Sequence, residues 1–575
     1  IIDLSPAGHQ PMTNEDQSIW LIFNGEIYNF QELKKLVDNK HRFLSQTDTE
    51  VIIHLYEEFG EASFSKLNGM FALALYDSKK QRLILVRDRL GKKPLYWGIF
   101  ANTLIFGSEL KALLKHPLVK KDLNLPALNK YLLFEYLPTP HSIFKNIYKL
   151  EPGHYLTYNG QDLIKKSFWD VRFEINENFN QPQFIERLDE EINQAVKIRL
   201  VSDVPLGIFL SGGIDSTTIA YYAQKNSQQK IKTFSIGFED KSFDESNFAR
   251  QAAKFLGTEH YEQILTPKES LDLIPRLADL LDEPLADASI VPTYLLSKFT
   301  KQKVTVALGG DGGDELFCGY DPFIAHRLAI IYEKFPRALR AALEKLPKYL
   351  PVSLNNISWD FKIKKFIAGF NNNKIYRNQI WLGSFSREDR EQLFTKEIWQ
   401  DLQKDNEFND LDNYLSNLTD NNFYHQLIYL YLKTYLMDDI LVKVDRASMF
   451  NSLEVRAPFL DYRLVDFINT IPLNLKLKGL TTKYILKELM KDKIPPEIVY
   501  RKKKGFGIPL AKWLISELKP LCLELLAKGH LERQGIFNYD YIEKLLSQHF
   551  AKRKDNRKLI WTLLAFQLWF NKWMK

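Results

Sequence analysis

One segment constrains this chain more than any other: Pro205-Leu206-Gly207-Ile208-Phe209-Leu210-Ser211-Gly212-Gly213-Ile214-Asp215-Ser216-Thr217-Thr218. An apolar strand runs straight into Ser-Gly-Gly-x-Asp-Ser and from there into a helix. Two glycines let the backbone close on a ligand and take positive φ. The helix start offers unbonded N–H groups and the positive end of its dipole. Ser211, Ser216 and Thr217 add hydroxyls. At the C-terminal end of a strand in an open α/β sheet, this combination makes an anion cradle. The run is neither Gly-x4-Gly-Lys-[Ser/Thr] nor Gly-x-Gly-x-x-Gly, and it has no phosphate lysine. A carboxylate at Asp215 inside such a cradle calls for a cation between the two, so Mg²⁺ is expected. The plain alternative is a Gly-rich turn capped by Ser and Asp.

The surrounding rhythm fits a parallel sheet. A helix over 184–200 precedes the strand 207–210. Strand 232–238, helix 245–256, strand 260–265, helices up to Lys301 and strand 303–308 follow. Strands alternating with helices read as a doubly wound sheet, and beyond about Tyr320 the pattern turns mostly helical. Residues 1 to about 170 differ: strands at 19–23, 70–76, 82–86 and 103–106 are separated by short turns, with helical patterns at 30–38 and 49–59. Antiparallel α+β is expected there. The polar stretch 174–183, with three Asn and a Pro, reads as a linker between domains at 1–173 and 184–575.

Composition closes off other classes. With 575 residues, 45% hydrophobic and 26% charged, the chain buries large cores without staples. Cys318 and Cys522 are the only cysteines. They exclude a disulfide framework or a Cys-rich zinc module, and they fit a reducing, cytoplasmic setting. A net charge of +7 is too mild to imply nucleic acid. No apolar run reaches the ~18 residues of a membrane span, and residues 559–570 read as a buried amphipathic helix. No signal peptide or internal repeat is visible. The eleven histidines show no His-Glu-x-x-His or Cys/His spacing, so no zinc site is expected.

Ser-Gly-Gly-x-Asp-Ser after a buried strand resembles the pyrophosphate loop of the ATP-pyrophosphatase (adenylating) superfamily. Val304-Thr305-Val306-Ala307-Leu308-Gly309-Gly310-Asp311-Gly312-Gly313-Asp314-Glu315-Leu316-Phe317-Cys318-Gly319-Tyr320 resembles the second active-site loop of glutamine-dependent asparagine synthetases. Glu454-Val455-Arg456-Ala457-Pro458-Phe459-Leu460-Asp461 and Lys483-Tyr484-Ile485-Leu486-Lys487-Glu488 match too. The resemblance covers nearly the whole chain. It implies an α+β N-terminal-nucleophile (glutaminase) sandwich followed by an α/β parallel-sheet ATP-pyrophosphatase domain with a helical C-terminal part. It also implies ATP and Mg²⁺. Phe209, Ile236, Gly309 and Gly310 would form the nucleotide pocket beside Ser211, Gly212, Gly213 and Ser216. Asp215 and Asp314 would hold Mg²⁺. Asp311 stands where relatives carry an acidic residue near the reaction centre, often the longer glutamate. Lys483 would stabilise negative charge as the adenylate forms and breaks down. Read alone, Lys483 is a surface helix lysine.

Asn24-Gly25-Glu26-Ile27-Tyr28-Asn29 reads alone as a polar turn after a strand. Ser45-Gln46-Thr47-Asp48-Thr49-Glu50 reads as a helix start capped by Asp48 or Thr47. With Ile2-Asp3-Leu4, Gly69-Met70-Phe71-Ala72 and the stretch 87–96, they resemble the glutaminase domain of the same amidotransferases. That implies an oxyanion hole from Asn24 and the Gly25 backbone. Glu26 and Asp48 would hold the glutamine α-amino group, and the backbone of Ile1 and Ile2 would line the pocket. The family's nucleophile is a cysteine upstream of the position where this sequence begins, as is an expected arginine. The chain as it stands is therefore expected not to hydrolyse glutamine, for want of a thiolate, while ammonia-dependent synthesis survives.

The resemblance thus implies amidation of aspartate to asparagine through an acyl-adenylate, with ammonia passing through an internal channel. Partners would be small molecules: ATP, aspartate, and glutamine or ammonia. No nucleic acid or membrane is expected, and a homodimer is open. Residues 282–292 lie where relatives recognise the acceptor, yet contain no arginine to meet an aspartate carboxylate. Another carboxylate, such as a sugar acid, stays open. So does a nucleotide-binding homologue without catalysis, on the strength of Asp311. The run Arg501-Lys502-Lys503-Lys504-Gly505-Phe506-Gly507 is either a solvated loop or positive charge for a triphosphate. Asp445-Arg446 and Arg456 are either braces of the active-site floor or simple ion pairs.

Overall fold

The computed structural model describes residues 1–336, 338–340, 343, 359–371, 373–502 and 505–574. The N-terminal part is built on two antiparallel sheets. Strands β1 (Met12–Thr13), β2 (Ile19–Ile27), β3 (Gly69–Asp77), β4 (Arg82–Arg87), β8 (His154–Tyr158) and β9 (Leu163–Ser167) form the larger, in that order. Strands β6 (Thr103–Gly107), β5 (Tyr96–Phe100) and β7 (Tyr148–Lys149) form the smaller. Helices Phe30–Lys34 and Asp48–Phe59 cross between β2 and β3 and cover one face of the large sheet. Val51, Ile52, Leu55 and Tyr56 pack there on Leu21, Phe71, Leu73 and Ile84. Ala72, Ala74, Leu85 and Leu156 meet Leu95 and Leu150 on the other face. Covered on both faces, β3 carries an almost unbroken apolar run instead of an alternation.

Residues 171–176 have no regular structure. The chain then enters helix Gln181–Arg199 through a capping box of Asn180 and Gln183. Five parallel strands follow: β10 (Leu206–Phe209), β11 (Lys232–Phe238), β12 (Glu259–Leu265), β13 (Val306–Leu308) and β14 (Glu454–Arg456). Their order is β12-β11-β10-β13-β14. From β10 the chain winds outward to β11 and β12. It then crosses back to add β13 and β14 on the opposite side. The order therefore reverses between β10 and β13, and such a switch point opens a crevice at the carboxyl ends of those two strands. The rest of the C-terminal part is helical.

Three sequence expectations need correction. Asn24-Gly25-Glu26 is not a turn: it lies inside β2, with Asn24 opposite Ala72, Gly25 opposite Phe71 and Glu26 opposite Met70. Polar side chains are tolerated there because they find partners, Asn24 on Ser108 and Glu26 beside Arg456. The segment at Glu454 is a fifth strand, too short and too charged for an apolar-run criterion to find. The late apolar helix is longer than expected, Arg557–Trp573, and buried nearly all round, with Trp561, Phe566 and Trp569 in the core. It packs on Tyr131 and Phe144 of the N-terminal part. One apolar core thus runs through both halves.

Candidate active site

The Ser-Gly-Gly-x-Asp-Ser turn leaves β10 at the switch point. Gly212 sits at φ 68°, and a Cβ there would lie 2.5 Å from the Ala249 nitrogen, so left-handed backbone and helix contact both demand glycine. Ser216 Oγ accepts from the Ser211 N–H at 3.1 Å and meets Ser211 Oγ at 3.0 Å. The turn is thereby folded before any ligand arrives. Arg501 donates to the carbonyls of Ser211 and Gly212 at 3.3 and 3.0 Å and pairs with Glu245. The first residue of the basic run therefore leans on the phosphate loop, while Lys503 and Lys504 fall outside the described residues.

The second loop leaves β13 beside it. Asp215 and Asp314 come together on one ammonium: Lys483 Nζ pairs with Asp215 and lies 2.6 Å from Asp314 Oδ1. Lys483 is 5% exposed and is no surface lysine. Its backbone takes φ 53°, left-handed for a residue with a side chain, at a cost of about 1–3 kcal/mol. A bond from its N–H to Phe317 O at 3.0 Å holds it there. Burial alone would lower the Lys483 pKa, but the two carboxylates outweigh it and the net shift is upward. Two converging carboxylates are hard donors of the kind Mg²⁺ takes alongside phosphate and water. Gly313 brings backbone against them, since a Cβ there would lie 2.7 Å from Asp215 Oδ1. The residues fit the ion.

Asp311 is partly buried in the same loop. Burial raises its pKa, Lys443 opposes that, and Asp215 and Asp314 add to the rise. Lys443 was missed in the sequence. Its ammonium is held by Asp287 Oδ2 at 2.7 Å and Ser289 Oγ at 2.8 Å. Lys443 comes from another element, helix Leu441–Met449, and Lys149, which lies 3.2 Å from Glu283, from β7. Only the spacing of Lys443 to Asp445-Arg446 could have hinted at this.

A second pocket lies in the N-terminal part. Gly25 is required by close approach, since a Cβ would lie 2.7 Å from Phe71 Cα. Glu26 is buried, with its carboxylate 2.9 Å from the Ile1 amine and 3.5 Å from Arg456. The Ile1 amine is also 3.4 Å from Glu454, and Ile2 packs on the neighbouring core. Asp48 accepts from the Ile27 N–H at 2.6 Å, while Thr47, not Asp48, caps the helix. Burial, then the neighbouring Glu26 charge, pushes the Asp48 pKa up to about 7. Burial and Glu454 raise that of Glu26. A hydrogen-bond chain links the two groups of residues. Asn24 Nδ2 donates to Ser108 Oγ at 3.0 Å, and Ser108 O accepts from Arg446 at 3.3 Å, on the helix that carries Lys443. Cys318 and Cys522 are both buried in the C-terminal part. Among the described residues no helix is long and apolar enough to cross a membrane.

Comparison with known proteins agrees with this two-pocket layout. The model of a glutamine amidotransferase domain matches residues 1–169, and that of asparagine synthase matches residues 187–571. The chain is 32% identical to asparagine synthetase (glutamine-hydrolyzing) 1 of Bacillus subtilis (strain 168), over 99% of this chain and 88% of that protein. It is 34% identical to the putative asparagine synthetase (glutamine-hydrolyzing) 2 of Methanocaldococcus jannaschii, over 80% and 90%. It is 28% identical to the amidase chry2 of Gibberella zeae, over 96% and 86%. Fold and comparisons together define a carbon–nitrogen ligase with an attached glutamine amidotransferase domain. The chain belongs to the asparagine synthetase family.

Proposed function

We propose that this enzyme activates the side-chain carboxylate of aspartate with ATP and converts it to asparagine. The observation that carries the reading is the meeting of Asp215, Asp314 and Lys483 at the switch point of the parallel sheet. ATP is consumed, so it is a substrate. Ser211, Gly212, Gly213 and Ser216 would cradle its pyrophosphate, with Phe209, Ile236, Gly309 and Gly310 around the nucleotide. Asp215 and Asp314 would hold Mg²⁺, which supplies charge neutralisation on the phosphates. A bare carboxylate is a poor electrophile. Attack by its oxygen on the α-phosphorus forms the acyl-adenylate and releases pyrophosphate. Ammonia then displaces AMP. Lys483 is placed to stabilise the charge gathered in both steps. Asp311 is the nearby carboxylate suited to take a proton from the attacking amine.

In the N-terminal part, Glu26 and Asp48 are two buried carboxylates whose pKa values are raised by burial and by neighbouring carboxylates, Glu454 beside Glu26 and Glu26 beside Asp48. The α-ammonium of glutamine would supply positive charge to this acidic pair. Asn24 Nδ2 and the Gly25 N–H would serve the oxyanion, with the Ile1 and Ile2 backbone along the wall.

A second reading keeps the chemistry and changes the acceptor. It draws on Lys443, Arg446 and Lys149, cations beside the acceptor segment that are already engaged by Asp287, Glu109 and Glu283, and on a relative that is named an amidase. Pyrophosphate release with ATP, Mg²⁺ and ammonium separates the two. Stimulation by aspartate with asparagine formed supports the first. No response to aspartate overturns it in favour of another carboxylate.

A further inference from the structure

The amidation chemistry makes no use of a group of four side chains on the helix-covered side of the large antiparallel sheet. Glu15 comes from the turn between β1 and β2 and His41 from the turn after helix Phe30–Lys34. His54 and Glu57 come from one face of helix Asp48–Phe59. No ordered sequence spacing reveals them, because three separate elements contribute. Their donor atoms lie within 4.8 Å of one another.

The spacing suits a metal. His54 Nδ1 lies 2.9 Å from Glu57 Oε2 and 3.8 Å from Glu15 Oε2. His41 Nδ1 lies 3.3 Å from Glu15 Oε1 and 3.6 Å from Glu57 Oε2. A tetrahedral zinc ion with bonds of about 2.0–2.1 Å sets its donors about 3.3 Å apart, and the four separations straddle that length. The outward nitrogen of His41 has the carboxylate partner that metal-bound imidazoles normally have, while that of His54 has a carboxylate close by but beyond hydrogen-bond distance. His41 Nε2 faces Glu58 Oε1 at 3.3 Å, and the buried His54 Nε2 faces Glu50 Oε1 at 3.7 Å. Buried Asn14 donates to Glu57 Oε1 at 2.7 Å, which orients that carboxylate through its other oxygen. The two imidazoles stack with centroids 4.4 Å apart and planes 23° apart. Two imidazolium rings at that distance repel. One divalent cation neutralises both carboxylates and leaves both rings uncharged.

We propose that Glu15, His41, His54 and Glu57 form a structural site for Zn²⁺ or a similar borderline divalent ion. Four protein donors leave no open position, so the ion would be a clip and not a catalyst. It would pin the β1–β2 turn and the turn at His41 to the helix whose first residue is Asp48.

The test uses the untagged full chain, stripped with a chelator and dialysed against excess Mg²⁺ and micromolar Zn²⁺. Magnesium keeps zinc off Asp215 and Asp314. One zinc retained per chain is expected, with a rise in Tm and, on Co²⁺ replacement, the strong visible absorption of a tetrahedral site. His41→Gln and Glu15→Gln alter side chains at the solvent edge. Each should weaken zinc binding roughly 100-fold, the upper range for lost supporting groups, and abolish the cobalt spectrum, with ATP–pyrophosphate exchange unchanged. No zinc on the wild-type chain, or equal retention by both variants, overturns the proposal.

Discussion

At the scale of single residues, the site is an electrostatic balance around Lys483. Removing its ammonium takes away the cation that Asp215 and Asp314 share. Lys483→Met is therefore expected to lower ATP–pyrophosphate exchange by about 10²-fold or more, the loss typical of a preorganised charge partner. Lys483→Arg should recover part of it, with an unchanged circular-dichroism spectrum checking the fold. Asp48 gives a pH prediction. Its folded pKa of about 7 lies above the ordinary aspartate value, so the folded state holds a proton that the unfolded chain releases near pH 4. The stabilisation is complete below pH 4 and is lost as pH rises through 7, up to about 4 kcal/mol in all. Tm should fall between pH 5 and 8, and Asp48→Asn, which keeps an acceptor for the Ile27 N–H, should flatten that slope. A mutant with the wild-type slope would sink the assignment.

At the scale of elements, what was legible in the sequence followed local chemistry. Gly-rich turns and alternating apolar runs exposed β10, β11, β12 and the loop at Ser211, because backbone freedom and periodicity are written in consecutive residues. The fifth parallel strand and the placement of Asn24-Gly25-Glu26 inside β2 were not legible. Both depend on a neighbour far away in sequence: Val306 for Glu454, and Phe71 for Gly25. Lys443 escaped for the same reason, since its partner Asp287 lies on another element, whereas Arg446, read as a brace or an ion pair, does pair with Glu109. Resemblance to a family, not spacing, singled out Lys483. The β2–β3 pairing yields its own prediction. Gly25→Ala forces a methyl group against the Phe71 backbone. It should destabilise the chain by about 1–3 kcal/mol, seen as a lower denaturant midpoint, and weaken glutamine binding more than ATP binding.

At the scale of the whole molecule, the two halves are joined by buried charge as well as by the shared core. Arg199, at the end of helix Gln181–Arg199, is fully buried and donates to Asp461 Oδ2 at 2.7 Å. The same oxygen accepts from Asn68 of the N-terminal part at 2.9 Å, and the Arg199 guanidinium lies 4.2 Å over the Tyr28 ring. Burial pushes the Asp461 pKa up, but Arg199 outweighs burial and the net shift is downward. Arg199→Met removes the directly bonded counter-charge and leaves a buried carboxylate hydrogen-bonded to Asn68 and the Arg463 N–H, with Arg89 and Lys92 as the remaining nearby cations. The expected loss is about 3–5 kcal/mol, the range for breaking a buried pair from one side. Its pH dependence has a definite sign. In the wild type this pair's stabilisation is present above the ordinary aspartate range and is lost as pH falls through the depressed folded value. In the mutant, burial is opposed only by the hydrogen bonds from Asn68 and the Arg463 N–H and by the Arg89 and Lys92 charges, so the Asp461 pKa moves up and less stability is gained as Asp461 ionises. The Tm gap between wild type and Arg199→Met should therefore widen from pH 5 to pH 8. Adding Asp461→Asn to the mutant should remove that widening, because no carboxylate is left to ionise. A gap that stays constant with pH would mean that Arg199 joins the halves by packing on Tyr28 and not by charge.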